Sequence, residues 1–353
     1  MAVAGTLGIL GYGRFGQALA GLLQAQAYRW YAHDPVAALP AAHAVASPEA
    51  LAAQAEVLIV AVPVSQFQSA LQALRPHLQP HHIVIDVASV KQGPCEAMDG
   101  VLGRDIAHVG AHPLFGPLSI ARAEPLRTVI CSSPQHPCAA DRAEALFVAL
   151  GSEVTRQTPE AHDRFMALTH AMAFFIAKGL LDLGVGDDLR WAPPSFAALA
   201  ASIAAVRADA GHLFRAIQND NPYAAHTRRQ FIDALRQIDE RIGDSATSEP
   251  AAAAVALAIP DLGQHSPALR EVREHIDELD RELVDLLRRR RELSARAAAA
   301  KRELGAPVLD PTREADLMHQ RAQWAESAGL APEDVQVLFR GILGMSRRVQ
   351  GAG

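Results

Sequence analysis

Short apolar runs and Ala/Leu-rich amphipathic stretches alternate through the first part of the chain. LGILG, YRWYAHD, VLIVAV, HIVIDVAS, IAHVGAH and RTVICS have the length and apolar density of strands, and FGQALAGLLQAQ and VSQFQSALQAL fall between the first of them with helical periodicity. This alternation over 1–158 predicts an α/β domain with a doubly wound, parallel sheet. Over 159–243 the pattern turns to long helical segments, PEAHDRFMALTHAMAFFIAKGLLDL, SFAALAASIAAVRADAGHLFRAIQ and PYAAHTRRQFIDALRQIDERI, which predict an all-α domain. Residues 244–267 carry Pro, Ser and Gly without an amphipathic face and read as a linker. From 268 to 353 the pattern is helical again. Val272, Ile276, Leu279, Leu283, Leu286, Leu287 and Leu293 recur at three- and four-residue steps in a long helix that ends near Gly305. Asp310-Pro311 opens a second helix through about Ser327, and Ala331-Pro332 a third to about Gln350. Three helices of this kind, one of them about 50 Å long, do not easily make a monomeric core. An intertwined oligomer is expected.

Composition narrows the classes. At 353 residues, the chain is too long for one ordinary core. Half the residues are apolar and 20% are charged, as in a soluble globular protein. A net charge of -6 gives no bulk attraction to nucleic acid or an anionic membrane, so an acidic small molecule needs a local basic pocket. Cys95, Cys131 and Cys138 are odd in number and lack metal-site spacing, so no metal is expected and a reducing, cytoplasmic setting is. The apolar start has no basic segment before it, and no apolar run reads as long enough to span a membrane.

Candidate chemistry begins at Gly11-Tyr-Gly13-Arg14-Phe15-Gly16, which follows an apolar strand and opens a helix. Glycines there permit a tight turn and close backbone approach to a pyrophosphate at the helix N-terminus. Asp34 stands 18 residues beyond Gly16, at the end of the next strand, where a carboxylate binds a ribose 2′-hydroxyl and repels a 2′-phosphate. The pattern therefore predicts a Rossmann-like site and favours NAD. A structural glycine turn in another α/β fold is the alternative.

Two loops follow apolar strands on the ligand-binding side of such a sheet: Asp86-Val-Ala-Ser89-Val-Lys91 and Gly110-Ala-His112-Pro-Leu-Phe-Gly-Pro117. A histidine there can take a proton from a substrate hydroxyl, although most single histidines are structural or solvated. Together with EAHDRFMALTHAM at 160–172, these loops resemble the prephenate dehydrogenases over roughly 5–240, and the HP-x-FGP string carries most of that resemblance. It implies that His112 is the catalytic histidine on the ring hydroxyl and that Ser89 supports both. Oxidation with loss of CO2 would then yield 4-hydroxyphenylpyruvate. The family's carboxylate-binding arginine is the point of departure. Its ungapped position is His212, and Arg215 lies one helical turn on; Arg215 is the candidate here. His170 either faces the pocket or is a core histidine, and His162 and Asp163 either anchor a helix or touch substrate.

The last 85 residues or so carry polar positions that a plain helical hairpin would not need. Arg290 and Lys301 are eleven apart, about 20° off one helical face and about 16 Å along it. Asp310, Arg313 and Glu314 share a face of the second helix, and Ser346 and Gln350 are an i, i+4 pair on the third. In order, VREHIDELDRELVDLLRRRRELS, the lysine, PVLDPTRE and S-x-x-x-Q resemble the all-helical chorismate mutases. The resemblance implies that Arg290 and Arg273 bind substrate carboxylates, and that Lys301 and Gln350 hydrogen-bond the breaking ether oxygen. Glu314 and Asp310 would hold the ring hydroxyl, with Arg313 and Ser346 near it. Leu309 departs from the pattern, because some members carry an arginine before the aspartate. Arg273 lies about 25 Å and roughly 100° from Arg290 on one helix, so it can serve only a partner's site. That predicts a homodimer with shared mutase sites.

The expected activity is thus bifunctional: chorismate to prephenate, then NAD-dependent oxidative decarboxylation of prephenate. Three other readings stay open. The dehydrogenase could act on arogenate, the nucleotide fold could serve a β-hydroxyacid, or the C-terminal helices could be a dimerising or effector-sensing module.

Overall fold

A computed structural model describes residues 5–133, 135–185, 192–193, 196–208, 212–245, 268–304 and 311–351. The chain divides into two compact units, 1–120 with 125–258, and 121–124 with 259–353.

Seven strands make one sheet: β1 (Leu7–Leu10), β2 (Trp30–His33), β3 (Val57–Val60), β4 (Ile83–Asp86), β5 (Ala107–Pro113), β6 (Leu126–Cys131) and β7 (Ser152–Gln157). Their spatial order is β2-β1-β3-β4-β5-β6-β7. Strands β1 to β5 are parallel in register, as the alternating pattern predicts. Two features depart from it. Strand β6 runs antiparallel to β5, and β7, parallel to β6, was not anticipated. SEVTRQ is polar because β7 is an exposed edge strand, with little of it buried.

Successive side chains of a strand point to opposite faces, and each face builds its own core. Leu7, Ile9, Val57, Ile59, Ile85 and Val109 pack under α1 (Arg14–Ala25) and, further along, α6 (Pro137–Ala149). Leu10, Leu58, Val60 and Val84 pack with Leu51, Phe67, Leu71 and Met98 of α2 (Pro48–Gln54), α3 (Val64–Leu74) and α4 (Gln92–Leu102). A short α5 (Pro117–Ala121) follows β5. Each fully buried aliphatic side chain contributes roughly 1.5–3 kcal/mol of transfer free energy. Strand order reverses at β1, between β2 and β3, and that is where open α/β sheets leave a crevice at the strands' carboxyl ends.

Helical structure follows β7. Thr158 caps α7 (Pro159–Met166), its hydroxyl accepting the Ala161 N–H at 3.1 Å. A π-turn (Ala167–Ala171) leads into α8 (Met172–Asp182). Pro159–Asp182 contains an 18-residue window of mean hydropathy 1.3, so one helical stretch does reach the length and apolarity of a membrane span, contrary to the sequence expectation. Then come α9 (Ala197–Ala208), α10 (His212–Arg215), a second π-turn (Ala216–Asp220) and α11 (Ala224–Ser245). Helix α8 packs on α9, and the two π-turns touch each other. Of the expected linker, 246–267 lies outside the described residues.

In the second unit, a helix of 36 residues (Ala268–Glu303), about 54 Å long, is followed by Pro311–Ser327 and Pro332–Gly351. The third helix packs on both of the others. Ile276, Leu279, Leu283, Val284 and Leu286 of the long helix are nonetheless exposed, Val284 by 66%.

Candidate active sites

The glycine loop joins β1 to α1. Gly11 has φ +102, and a Cβ there would lie 2.6 Å from the Ala61 carbonyl oxygen. A Cβ on Gly16 would fall 2.2 Å from the Gly11 oxygen, so only glycine lets α1 start this close to β1. Gly13 is exposed with open space above it, and it caps α1 without a side-chain bond or an acidic residue in the first turn. Free N–H groups and the helix dipole at this point suit an anion. Asp34, just past β2, ties the loop down. Its Oδ2 accepts the Tyr12 N–H at 2.7 Å, and its Oδ1 accepts those of Val36 and Ala37, each at 2.8 Å. Burial opposes ionisation of Asp34, but the three backbone donors and nearby His33 outweigh it and hold the carboxyl below its ordinary range. One acceptor position remains, on Oδ2, for a ribose hydroxyl.

Beside this loop, Phe15 meets Phe115 of the HPLFGP segment, ring centroids 6.1 Å apart. The same segment starts at His112, near the end of β5, where a buried polar network converges. His112 Nδ1 lies 2.8 Å from His162 Nε2, and His162 Nδ1 lies 2.7 Å from Asp163 Oδ1. Asp163 also accepts the backbone N–H of Lys91 on Oδ1 at 2.8 Å and that of Gln92 on Oδ2 at 2.9 Å, so a carboxylate from α7 satisfies the first turn of α4. The Lys91 ammonium is fully buried; it donates to the Ala111 carbonyl at 2.6 Å and pairs with Asp86 at the end of β4. Burial pushes the Asp86 carboxyl up, and Lys91 opposes that rise. His112 is held well below the ordinary histidine value, first by burial, then by His162, Lys91 and His170. It is therefore neutral and available as a base.

Helices α7 to α11 complete the surroundings. His170 is half-buried, its ring 6.3 Å from that of His112 and nearly parallel, with Phe174 edge-on at 4.9 Å. Asn221 donates to the Asp163 carbonyl at 2.8 Å, and Gln218 to that of Ala171 at 2.6 Å. Arg228 donates to the Gln218 side chain at 2.6 Å and to its carbonyl at 2.9 Å. Burial pushes the Asp220 carboxyl above its ordinary range, and the exposed Arg215 opposes that rise.

A second polar cluster lies among the C-terminal helices. Arg290 donates to the Ser346 hydroxyl, and Ser294 bridges the same two helices through Ser346 at 3.2 Å and the Arg290 carbonyl at 2.9 Å. Burial, and then the nearby Arg321, lower the Arg290 guanidinium from its ordinary value. Two arginines this close on half-buried surface favour an anion between or beside them. Arg347 holds Glu314 across the second and third helices.

Residues 34–127 match the model of the prephenate dehydrogenase nucleotide-binding domain, and residues 272–351 match that of chorismate mutase type II. Two separate regions of the chain are thus similar to these two domain families. A probable arogenate/prephenate dehydrogenase of Methanocaldococcus jannaschii is 24% identical over 199 residues, which is 54% of this chain and 44% of that protein. The T-protein of Enterobacter agglomerans is 35% identical over 75 residues, 21% of this chain and 20% of its own length. The chain thus spans less than half the length of these two relatives. In fold, it is similar to the crystal structure of prephenate dehydrogenase from A. aeolicus in complex with hydroxyphenyl propionate and NAD+, with a TM-score of 0.57 at 17% identity, covering 79% of this chain and 98% of that one.

Within the dehydrogenase part, the structure brings the glycine loop, Asp34, His112 and His170 to one end of the sheet, with Ser89 half-buried on the loop after β4. Asp86 and Lys91 are parts of that site to which the sequence reading gave no role. His162 and Asp163 do more than anchor a helix. The adjacent His-Asp pair ahead of the apolar stretch of α8 was the available signal. In the mutase domain, Arg290, Ser346, Glu314, Arg313 and Lys301 lie on described helices. Asp310 is outside the described residues, and so are the side chains of Arg273 and Gln350. Arg321 and Arg347 had no counterpart in the sequence reading.

Proposed function

We propose that the mutase domain rearranges chorismate to prephenate and that the dehydrogenase part oxidatively decarboxylates prephenate with NAD to 4-hydroxyphenylpyruvate and CO2, as steps of tyrosine biosynthesis. The observation that carries this reading is the Phe15–Phe115 contact, which sets the dinucleotide loop against the segment that begins at the buried base His112. Gly11, Gly13 and Gly16 admit a pyrophosphate at the start of α1, with Arg14 and Phe15 beside it, and Asp34 takes a ribose hydroxyl. Its negative charge disfavours a 2′-phosphate, which favours NAD over NADP. Bound there, the nicotinamide supplies the hydride acceptor. His112 accepts the proton of the ring hydroxyl, Ser89 orients the two, and His170 lines the same pocket. Arg215 takes the side-chain carboxylate; Arg228, half-buried, is already held by Gln218. Aromatisation supplies the driving force, so positioning and charge control are the work left to the protein.

In the mutase domain, Arg290 and a partner's Arg273 bind the two carboxylates, and Lys301 and Gln350 donate to the ether oxygen as its bond breaks. Asp310 and Glu314 hold the hydroxyl, with Arg313 and Ser346 near it. Pericyclic rearrangement needs no nucleophile, so conformational restraint and electrostatic stabilisation do the catalysis. Arg273 and Arg290 sit on one unbroken helix, about 25 Å apart. A homodimer with shared sites follows, and it would cover the exposed apolar positions of that helix. Three unbridged cysteines support a reducing, cytoplasmic setting.

The test is steady-state turnover by the full chain with prephenate or arogenate, each with NAD or NADP. Prephenate with NAD should give the highest kcat/KM. Arogenate as the better substrate would reassign the oxidation, and turnover of neither would sink it.

A further inference from the structure

We propose that His162 and Asp163 act through His112 as a closed proton store, holding the substrate's hydroxyl proton during oxidation and returning it to the product. The idea rests on the dehydrogenase reading above and deepens it.

The hydrogen-bond pattern fixes the direction. Asp163 accepts a backbone N–H on each oxygen, and taken as a carboxylate it can only accept from its remaining neighbours. His162 Nδ1, 2.7 Å from Oδ1, therefore carries a hydrogen. In neutral His162 the Nε2 is then bare and accepts from His112 Nδ1 at 2.8 Å. His112 in turn has its Nε2 bare, the atom left to meet the substrate.

Charge decides where an added proton rests. The groups facing this pair are Asp86 from the end of β4, Lys91 from the loop after it, Asp163 from α7 and His170 from the π-turn. Lys91 cancels Asp86, which leaves Asp163 as one uncompensated buried negative charge. A proton on His162, in contact with that carboxylate, neutralises the cluster. On His112 it would meet burial and the neighbouring His162, Lys91 and His170, all of which oppose it. His112 Nε2 takes the substrate's proton as its own Nδ1 hydrogen passes to His162 Nε2, which leaves His112 neutral and His162 as the imidazolium.

Stoichiometry calls for a store rather than an exit. The ring O–H breaks as the C=O forms and the ring hydrogen departs as hydride to the oxidised co-substrate. When the ring carboxylate leaves as CO2, its bonding pair aromatises the ring and leaves a phenolate. The phenolate takes the proton back, so none is released overall. His112, His162 and Asp163 are all buried, which keeps the borrowed proton from water.

The test uses the full chain with His162→Gln and Asp163→Asn, reading kcat, KM and the pH profile of turnover, with NADH binding by fluorescence as the fold check. Gln accepts the His112 Nδ1 hydrogen and keeps its tautomer, but it cannot carry a proton. We expect His162→Gln to lower kcat ~10²-fold while KM moves less than about threefold. Asp163→Asn removes the charge that holds the proton, so the acid limb shifts to lower pH as kcat falls. A His162→Gln kcat within about threefold of the parent, or an unmoved acid limb in Asp163→Asn, would overturn the store. If the parent turns over neither prephenate nor arogenate, the dehydrogenase reading fails instead. Ring-15N shifts in the resting protein still test the hydrogen-bond chain then, and His112 protonated at Nε2 contradicts it.

Discussion

The two chemical centres of this chain are held in place in opposite ways. Around His112, five side chains from the end of β4, the following loop, β5 and α7 lock one another, and all are buried within a single chain. Among the C-terminal helices, Arg290, Ser294 and Ser346 are tied together, but the helix that carries Arg290 leaves Leu279, Leu283 and Val284 exposed. Buried, fully hydrogen-bonded groups are preorganised and sit in a low dielectric, where charge stabilisation is strongest. Half-exposed arginines on an uncovered helix are not. The first network is closed within one chain, whereas the second lies beside exposed apolar positions that the proposed homodimer would cover with a second copy of the same helix.

Substitutions that strike one centre and spare the other break this comparison most sharply. His112→Asn should lower dehydrogenase kcat by ~10²–10⁴-fold and leave chorismate turnover unchanged; equal loss of both activities in separate assays would show that the centres are not independent. Lys301→Ala should cost the mutase ~10²–10³-fold and spare prephenate oxidation, as expected for a lost donor to a developing negative charge. Gly16→Ala drives a Cβ to 2.2 Å from the Gly11 oxygen. It should destabilise the first unit by roughly 1–3 kcal/mol and weaken NAD binding, both measurable by denaturation and titration, with the mutase retained. Smallest in stability terms is Val284→Lys, at an exposed position and so within about 0.5 kcal/mol in a single chain. Its effect should appear in sedimentation as a weaker dimer, with mutase activity that falls on dilution. An unchanged sedimentation profile would remove the second copy from the account.

Much of this was legible in the sequence, for reasons that differ by residue. Buried strands such as VLIV and IVID are nearly continuous apolar runs, and glycines at 11 and 16 mark a turn that no other residue can make. Strand β7 was not visible, because an edge strand with one face in water shows little apolar pattern. The reversal of β6 was equally hidden, since antiparallel pairing depends on a connection rather than on composition. At the site, His112 could be read from its loop. Its dependence on His162 and Asp163, fifty residues on, could not, because which buried polar groups pair is a property of packing. The same holds for Asp163 capping α4 and for Lys91 turning inward to Asp86.

The central claim, two sequential activities in one chain, is tested most directly by incubating the purified protein with chorismate and NAD and following NADH. NADH should accumulate from chorismate alone, and Lys301→Ala should abolish that signal while prephenate still restores it. A chain that makes NADH from prephenate but none from chorismate would contradict the account and leave the C-terminal helices with a regulatory or dimerising role.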